Sequence, residues 1–139
     1  MAFEISIVEK FIFDTLVADA TIAGLIERRV YQMRAPRAAV RPFVIISYVT
    51  GSDVNTFGAR GLAQPLFDVK VSGTHEVIAA LRAVAGRVDA LLQDAKAVTA
   101  SGWHIRIQRE APIRQPEDSD GVEYHNLGGQ YRCWISPAS

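Results

Sequence analysis

The sequence predicts an α+β domain, in which a mainly antiparallel four-stranded sheet carries two helices packed on one face. Two stretches place apolar residues at steps of three and four, as amphipathic helices do. Four other stretches show the alternation or the β-branched enrichment of strands. The elements follow the order α-β-β-α-β-β, with a long β-hairpin arm between the first two strands. Two hairpins separated by a helix are typical of this layout.

The first helix is predicted near the N-terminus, where six apolar residues form one stripe over roughly four turns. These residues are Phe3, Ile7, Val8, Phe11, Ile12 and Leu16. The next segment offers Asp19 and Thr21 as cap candidates and Gly24 as a weak point. This combination indicates a short second helical turn only. Val30 and Tyr31 are expected to leave the turn in extended form.

The first hairpin is predicted from two strands joined by a glycine-rich segment. Residues 43–49 are rich in β-branched and aromatic side chains, which favours a strand. Phe67, Val69 and Val71 alternate with other residues, as expected of a strand with one buried face. Residues 51–61 contain three glycines and are too long for a two-residue turn. We call residues 51–61 the arm.

The second helix is predicted from a capped apolar stripe. Thr74 is a candidate N-cap, and Glu76 lies in the first turn, where the helix dipole favours a carboxylate. The stripe runs from Val77 to about Asp94. The small residues that follow, 95–102, are predicted to be a linker.

The second hairpin follows that linker. Apolar and polar residues alternate from Trp103 to Gln108, which predicts the third strand. Residues 111–121 are predicted to form a connector. The fourth strand is expected from Val122 to Ile135, bent or bulged at Gly128 and Gly129.

The composition fits one globular domain over residues 1–139. Hydrophobic residues make up 49% and charged residues 22%, so a packed core is expected. Fifteen Lys and Arg balance fifteen Asp and Glu, which leaves no overall field to attract nucleic acid or a membrane. Charges interrupt the apolar residues at the N-terminus, so neither a signal peptide nor a membrane span is expected. A soluble protein made in a cytoplasm is the expectation.

The residue types do not point to catalysis, a metal or a cofactor. His75, His104 and His125 lie in different predicted elements, and none has a Cys or a second His at ligand spacing. Cys133 lies within a predicted strand, which indicates a small buried thiol and not a nucleophile. Residues 58–61, GARG, precede a strand instead of opening a helix, so they are not a phosphate loop. The chain is predicted not to be an enzyme.

Charge is locally polarised in this neutral chain. Residues 27–41 carry five arginines and one glutamate, and residues 110–123 carry five acids and one arginine. Both runs fall in predicted connectors, where solvated charge is the simple interpretation. The alternative is that the two patches meet between neighbouring copies in a head-to-tail interface. The residues assigned to that contact are Arg34, Arg37, Arg41, Glu117, Asp118 and Asp120.

Three pieces of the chain form a recognisable pattern through their order and spacing. They are the turn from Asp19 to Leu25 that leads to Val30 and Tyr31, the run from Pro42 to Ile46, and the strand from Phe67 to Val71 that enters the capped helix. In this order the chain resembles the tail-completion, or tail-terminator, proteins of long-tailed bacteriophages and prophages, related to the lambda tail terminator. The resemblance covers most of the chain and rests on fold pattern, without catalytic motifs.

The resemblance implies a structural virion protein with one tail-terminator-like domain. Such proteins form a hexameric ring that caps the tail tube, ends its polymerisation and provides the docking surface for the head connector. The implied partners are other copies, the tail tube protein, and a connector, adaptor or stopper protein, without a membrane. The implied location is the neck of the virion tail, after assembly in the host bacterial cytoplasm. DNA in the ring lumen, contacted without sequence specificity by Arg34, Arg37 and Arg41, is a further candidate partner.

The arm is predicted to act in assembly by ordering against a neighbouring copy or the tube. The part that is predicted to make this contact runs from Asn55 to Gly61, with Phe57 as the expected apolar anchor and Arg60 as the expected polar contact. A surface loop without a partner is the simpler alternative. Two other functions stay open: a different neck component, such as a head-closure or adaptor ring, and a small α+β ligand-binding domain. The ligand-binding domain needs a pocket with a few placed polar groups.

Overall fold

A mixed sheet of six strands carries three helices on one face in the computed structural model, which describes residues 4–56 and 59–137. The elements are α1 (Glu4–Ala18), α2 (Ala20–Ile26), β1 (Val30–Gln32), β2 (Phe43–Thr56), β3 (Ala59–Thr74), α3 (Ile78–Leu92), β4 (Ala95–Val98), β5 (Trp103–Ser119) and β6 (Val122–Pro137). The strand order is β1-β2-β3-β6-β5-β4. Only the β1–β2 pair among the described strands is parallel.

This architecture shows that the predicted four-stranded, mainly antiparallel sheet with two helices is wrong. Helix α2 is a regular helix and not only a helical turn. The short strands β1 and β4 widen the sheet at its two edges. Segments of three and four residues are too short to show a periodic pattern. They become strands because the longer strands β2 and β5 offer them backbone partners, at Val44–Ile46 and His104–Ile107.

The predicted connector at residues 111–121 is also wrong, since residues 111–119 belong to β5 and only residues 120 and 121 form the turn before β6. Pro112 and Pro116 argued against a strand because proline cannot donate to a ladder. Beyond Ile107, however, β5 is paired on one side only, with β6. An edge strand tolerates proline where the missing N–H would face away from its partner.

Strand β6 runs in unbroken register past Gly128 and Gly129, so a bulge at these glycines, one of the two predicted forms, is wrong. The irregularity lies in its partner β5, between Arg109 and Ala111. Gly128 has a different role. A Cβ at this position would lie 2.0 Å from the carbonyl oxygen of Val69 on β3. The glycine therefore permits the close approach of β3 and β6.

The predicted amphipathic helices are present as α1 and α3, and their apolar stripes are buried against the sheet. The buried stripe residues are Val8, Ile12, Leu16, Leu81, Val84, Val88 and Leu92. Opposite them, Phe67 and Tyr131 are the largest fully buried side chains of the sheet. Thr74 precedes a 3₁₀ turn at His75–Val77, but its side chain makes no capping hydrogen bond, which corrects its predicted role. In residues 4–56 and 59–137, no helix is long and apolar enough to cross a membrane.

Asp19 caps α2 and also joins this helix to α3. Its carboxylate accepts a hydrogen bond from the backbone N–H of Ile22 at 3.0 Å. Arg87 of α3 donates to the same carboxylate, with Nη2 at 2.8 Å and Nε at 3.1 Å from Oδ1. The hydrogen bond from Arg87 holds the pKa of Asp19 below its ordinary value, and the backbone bond adds to this effect. One carboxylate thus satisfies a helix end and a cross-helix cation.

A second polar contact joins α3 to the centre of the sheet. The hydroxyl of Tyr131 donates to Oδ1 of Asp89 at 3.1 Å. Arg109 of β5 places Nη1 3.6 Å from the same oxygen. Burial raises the pKa of Tyr131, and the nearby Asp89 charge raises it further, so the phenol stays a donor. This contact fixes α3 over strands β5 and β6.

The two long hairpins point to opposite ends of the sheet. The ladder registers place the arm at one end, together with the end of β6 and the start of β5. The β5–β6 turn lies at the other end, beside the start of β2. We call residues 117–123 the acidic tip. At about 3.3 Å per residue, the 16 residues of β6 span roughly 50 Å between the two ends.

Gly128→Ala is expected to lower the free energy of unfolding by about 1–3 kcal/mol or more, because the new methyl group would overlap the β3 backbone. Gly86→Ala in α3 is the matched control, since a Cβ there meets nothing within 4 Å. It should raise the free energy of unfolding by about 0.5–1 kcal/mol. Urea denaturation followed by circular dichroism measures both. Wild-type stability for G128A would contradict the close approach of β3 and β6.

Asp19→Asn keeps an acceptor for the α2 cap but removes the charge that pairs with Arg87, whereas Asp19→Ala removes both. Both variants should be less stable than wild type at pH 7, and D19A should lose roughly 1 kcal/mol more than D19N for the cap. Because folding lowers the pKa of Asp19 below 3.8, the carboxylate contribution is complete above that value. It is lost as the pH falls through the folded-state pKa.

Urea denaturation of wild type and D19N across this range measures the effect. The stability difference should stay constant between about pH 5 and 7 and shrink below about pH 4. A difference that is unchanged at about pH 2 would show that ionised Asp19 does not stabilise the α2–α3 contact.

Candidate assembly surfaces

The sheet face opposite the helices is open in the described chain and carries polar, charged and some apolar residues. Along β6, buried positions that face the helices alternate with partly exposed positions on this open face. Arg132 of the open face donates to the carbonyl oxygen of Gln64 at 3.2 Å and pairs with Glu110 at 3.2 Å. Trp134 lies two residues further along β6, with intermediate exposure. This face is a broad surface with several shallow depressions.

The arm continues the β2–β3 ladder well beyond the body of the sheet. Backbone pairing extends to Asn55 with Arg60 and to Thr56 with Ala59. Of the predicted contact residues, Phe57 lies outside the described residues, as do the side chains of Asn55 and Arg60. The structure therefore gives the direction of the arm, and its contacts stay a prediction.

The arginine-rich connector between β1 and β2 is exposed at Arg34 and Arg37. Neither arginine forms an ion pair with any residue in the ranges 4–56 and 59–137. Two apolar side chains accompany them, since Met33 is 73% and Val40 is 63% exposed. An exposed surface that combines free cations with bare apolar side chains is suited to contact another molecule.

Arg41, the last arginine of this run, is engaged within its own chain. Its Nε donates to Oγ of Ser72 at 3.1 Å, and its guanidinium lies 3.7 Å from the ring centroid of Tyr124. Its Nη2 lies 3.6 Å from Oε2 of Glu117. The basic and acidic runs of the sequence therefore meet at this point inside one subunit. The contact ties the connector before β2 to the β5–β6 end of the sheet.

The acidic tip projects from that same end. Asp118 and Asp120 are exposed, and no ion pair to either occurs in the described part of the chain. Asp120 and Gly121 form the turn with positive φ angles of 51° and 77°. Glu117 is the member of the tip that Arg41 contacts. The carboxylates of Asp118 and Asp120 are free to bind elsewhere.

A cationic depression, which was not predicted from the sequence, lies at the opposite end of the sheet. Lys96 of β4 is the cross-strand partner of Arg106 on β5, and Arg106 is the partner of Trp134 on β6. With His104, these side chains line a depression of about 500 Å³ on the open face. We call it the basic groove. The alternation at 104 and 106 was visible in the sequence, but Lys96 stood in a predicted linker and had no assigned position.

A larger and mostly apolar groove of about 600 Å³ lies between α1 and the β4–β5 loop. Ile7 and Phe11 line it on the helix, and Thr99 and Ala100 on the loop. The charged residues at its rim, Lys10 and Asp14, pair with each other. This groove has few polar groups available to orient a small ligand.

The described residues contain no group of three or more His, Cys, Asp and Glu side chains that could hold a metal ion. The rings of His75 and His125 lie 5.3 Å apart, a pairing that their positions in the sequence did not suggest. Cys133 is fully buried, and burial raises its pKa to about 12. Its thiol is therefore not ionised at neutral pH and is no nucleophile there.

Known proteins similar to this chain include one family and two solved structures. The family described as Tail completion protein gp17 matches residues 10–132. A solved structure of the virion of a native gene transfer agent particle contains a similar chain with a TM-score of 0.68. That chain is 20% identical, and the match covers 90% of this chain and 91% of the other. A second solved structure, whose name describes no function, matches at 15% identity and a TM-score of 0.58, over 96% and 92% of the two chains. No curated protein matches.

Arg41→Gln is expected to loosen the acidic end of the sheet, since it removes the stacking on Tyr124 and the hydrogen bond to Ser72. Amide hydrogen exchange should rise at residues 117–124, and the free energy of unfolding should fall by about 1 kcal/mol. Arg37→Gln is the matched control, because Arg37 is exposed and unpaired in the described chain. Hydrogen exchange measured by mass spectrometry reports both. Equal exchange at residues 117–124 in the two variants would show that Arg41 does not order this end.

Proposed function

The chain belongs to the tail completion protein gp17 family and is a structural component of a bacteriophage tail. From this premise we propose that it forms a hexameric ring that caps the tail tube. The ring ends tube polymerisation and provides the surface on which the head connector docks. The proposed partners are other copies of the chain, the tail tube protein, and a connector, adaptor or stopper protein. The proposed location is the neck of the virion, and the proposed role is not enzymatic.

The family match carries this proposal, because it spans residues 10–132 of a chain of 139 residues. The similar chain from the gene transfer agent virion supports it through the fold. Both chains are covered almost entirely, so the likeness concerns a whole domain and not a shared fragment. That chain comes from a structure described as a virion, which agrees with a role inside a particle.

The distribution of surfaces is consistent with a ring subunit. A subunit of a closed ring needs two different lateral surfaces, since a head-to-tail contact joins unlike patches. This domain offers unlike ends, with the arm at one and the acidic tip at the other. It also offers an open sheet face and a helical face for the two sides of a ring. The basic connector supplies a further exposed surface at Arg34 and Arg37.

We assign the arm, with Asn55, Phe57 and Arg60, to contact with a neighbouring copy or the tube. The entropy lost when such a segment orders is offset by the surface that it buries. Arg34 and Arg37 are assigned to a neighbour or to lumenal DNA. Phosphate contacts of that kind carry no sequence specificity.

A different neck component, such as a head-closure or adaptor ring, is the second candidate. It would share the virion setting and the fold, but it would act after the tube has reached its final length.

Particles assembled without this protein are expected to carry tubes longer than wild type, because nothing stops the addition of tube subunits. Electron microscopy of negatively stained lysates measures the length distribution. Complementation with the wild-type chain should restore one uniform length. A variant without residues 54–60 should fold, as judged by circular dichroism, and fail to restore it.

Two other outcomes would decide against the proposal. Tails of normal length that fail to join heads would assign the protein to the adaptor or head-closure step. Full complementation by the variant without residues 54–60 would remove the arm from the assembly contacts.

A further inference from the structure

The basic groove places like charges side by side, and none of its described lining residues is an acid. Lys96 and Arg106 are cross-strand neighbours on one sheet face, where such side chains have Cβ atoms about 4.5–5.5 Å apart. Like charges in this arrangement repel each other and destabilise a sheet. Both residues are exposed, and neither forms an ion pair with any residue in 4–56 or 59–137. An anionic group bound between them would relieve this repulsion.

The groove combines these cations with apolar surface. Trp134 lies beside Arg106 on the neighbouring strand, and Leu62 and Val98 line the same depression. The nearby Arg132 differs, since its guanidinium is already paired with Glu110. The groove therefore fits a short segment that brings carboxylates to Lys96 and Arg106 and lies over the indole.

The acidic tip has the complementary charge and stands at the other end of the sheet. From Val122 at the tip to Trp134 in the groove, β6 covers twelve residue steps, or roughly 40 Å. The tip therefore cannot reach the groove of its own chain. Arg41, by contrast, contacts the tip within the chain and lies at the same end. Pairing the tip with Arg41 of another copy would join like ends, which does not build a head-to-tail ring.

We propose that the basic groove binds the acidic tip of the adjacent copy, with Asp118 and Asp120 placed between Lys96 and Arg106. This inference rests on the proposed ring and specifies one lateral contact in it. The partner is a second copy of this chain. The contact is heterologous, so each subunit gives its tip to one neighbour and its groove to the other. Its strength falls with ionic strength, because both surfaces are exposed before they meet.

A charge-swap experiment tests the contact in the full-length chain. K96E/R106E makes the groove acidic, and D118K/D120K makes the tip basic. Each variant alone should associate at least about tenfold more weakly than wild type, because two close ion pairs become repulsive. An equimolar mixture of the two should regain association, since each variant then meets an oppositely charged partner. Mass photometry and sedimentation velocity at low and high salt measure the assembly.

R82E/R114E is the matched control, because it reverses two exposed cations away from the groove and changes the net charge equally. It should associate as wild type does. Wild-type association of K96E/R106E, or failure of the mixture to regain it, would overturn the proposal. If K96E/R106E instead loses binding to a short fluorescent DNA duplex and keeps its association, the groove contacts phosphate and the proposal is wrong.

A cysteine pair tests the contact between groove and tip in assembled particles, including the case in which the free chain stays monomeric. Arg106→Cys combined with Asp120→Cys should give a ladder of disulfide-linked multimers in oxidised tails on non-reducing gels. Each single variant should not, because native Cys133 is buried. Tails of normal length that carry both cysteines and give no ladder would overturn this contact while leaving the proposed capping role intact. The capping role is tested separately by the length of tails from a strain that lacks this protein.

Discussion

The pairing of β3 with β6 is the contact on which the rest of the structure depends. It joins two long hairpins that are each local in sequence, β2–β3 and β5–β6, into one sheet. Gly128 permits this pairing, because any side chain there would enter the backbone of β3. The same pairing brings Phe67 and Tyr131 to the centre of the core. Without it the helices would have no common surface to cover.

The helices are fixed over this sheet by a small number of polar contacts in addition to the apolar core. Asp19 and Arg87 link α2 to α3, and Asp89 and Tyr131 link α3 to the sheet. In each pair, a charged or polar group is largely removed from water. The hydrogen bond that it makes is therefore specific in its direction. The result is a packed body whose two ends differ, with one hairpin projecting from each. Different ends are what a directional assembly requires.

The candidate functional features of the described chain lie on several of its surfaces. The family match gives a structural role in a bacteriophage tail. The exposed cations, carboxylates and arm are the features of the described chain that such a role can use. The net charge of the whole chain does not reveal this arrangement, because positive and negative side chains lie at different places on the sheet. Contacts within the subunit, such as that of Arg41 with Glu117, neutralise part of the charge. The remainder is available to partners.

The amino-acid pattern alone determined α1, α3, the two long hairpins, the buried Cys133 and the family resemblance. The helices, the hairpins and the buried thiol depend on local periodicity or on turn residues, which can be read within a short stretch of sequence. The resemblance depends on the order and spacing of several such stretches. The strands β1 and β4, the extension of β5 through Pro112 and Pro116, and the role of Gly128 were decided by tertiary structure. Each depends on which backbone lies alongside, and that partner is distant in sequence. The basic groove has the same origin, since Lys96, Arg106 and Trp134 meet only when three strands pair.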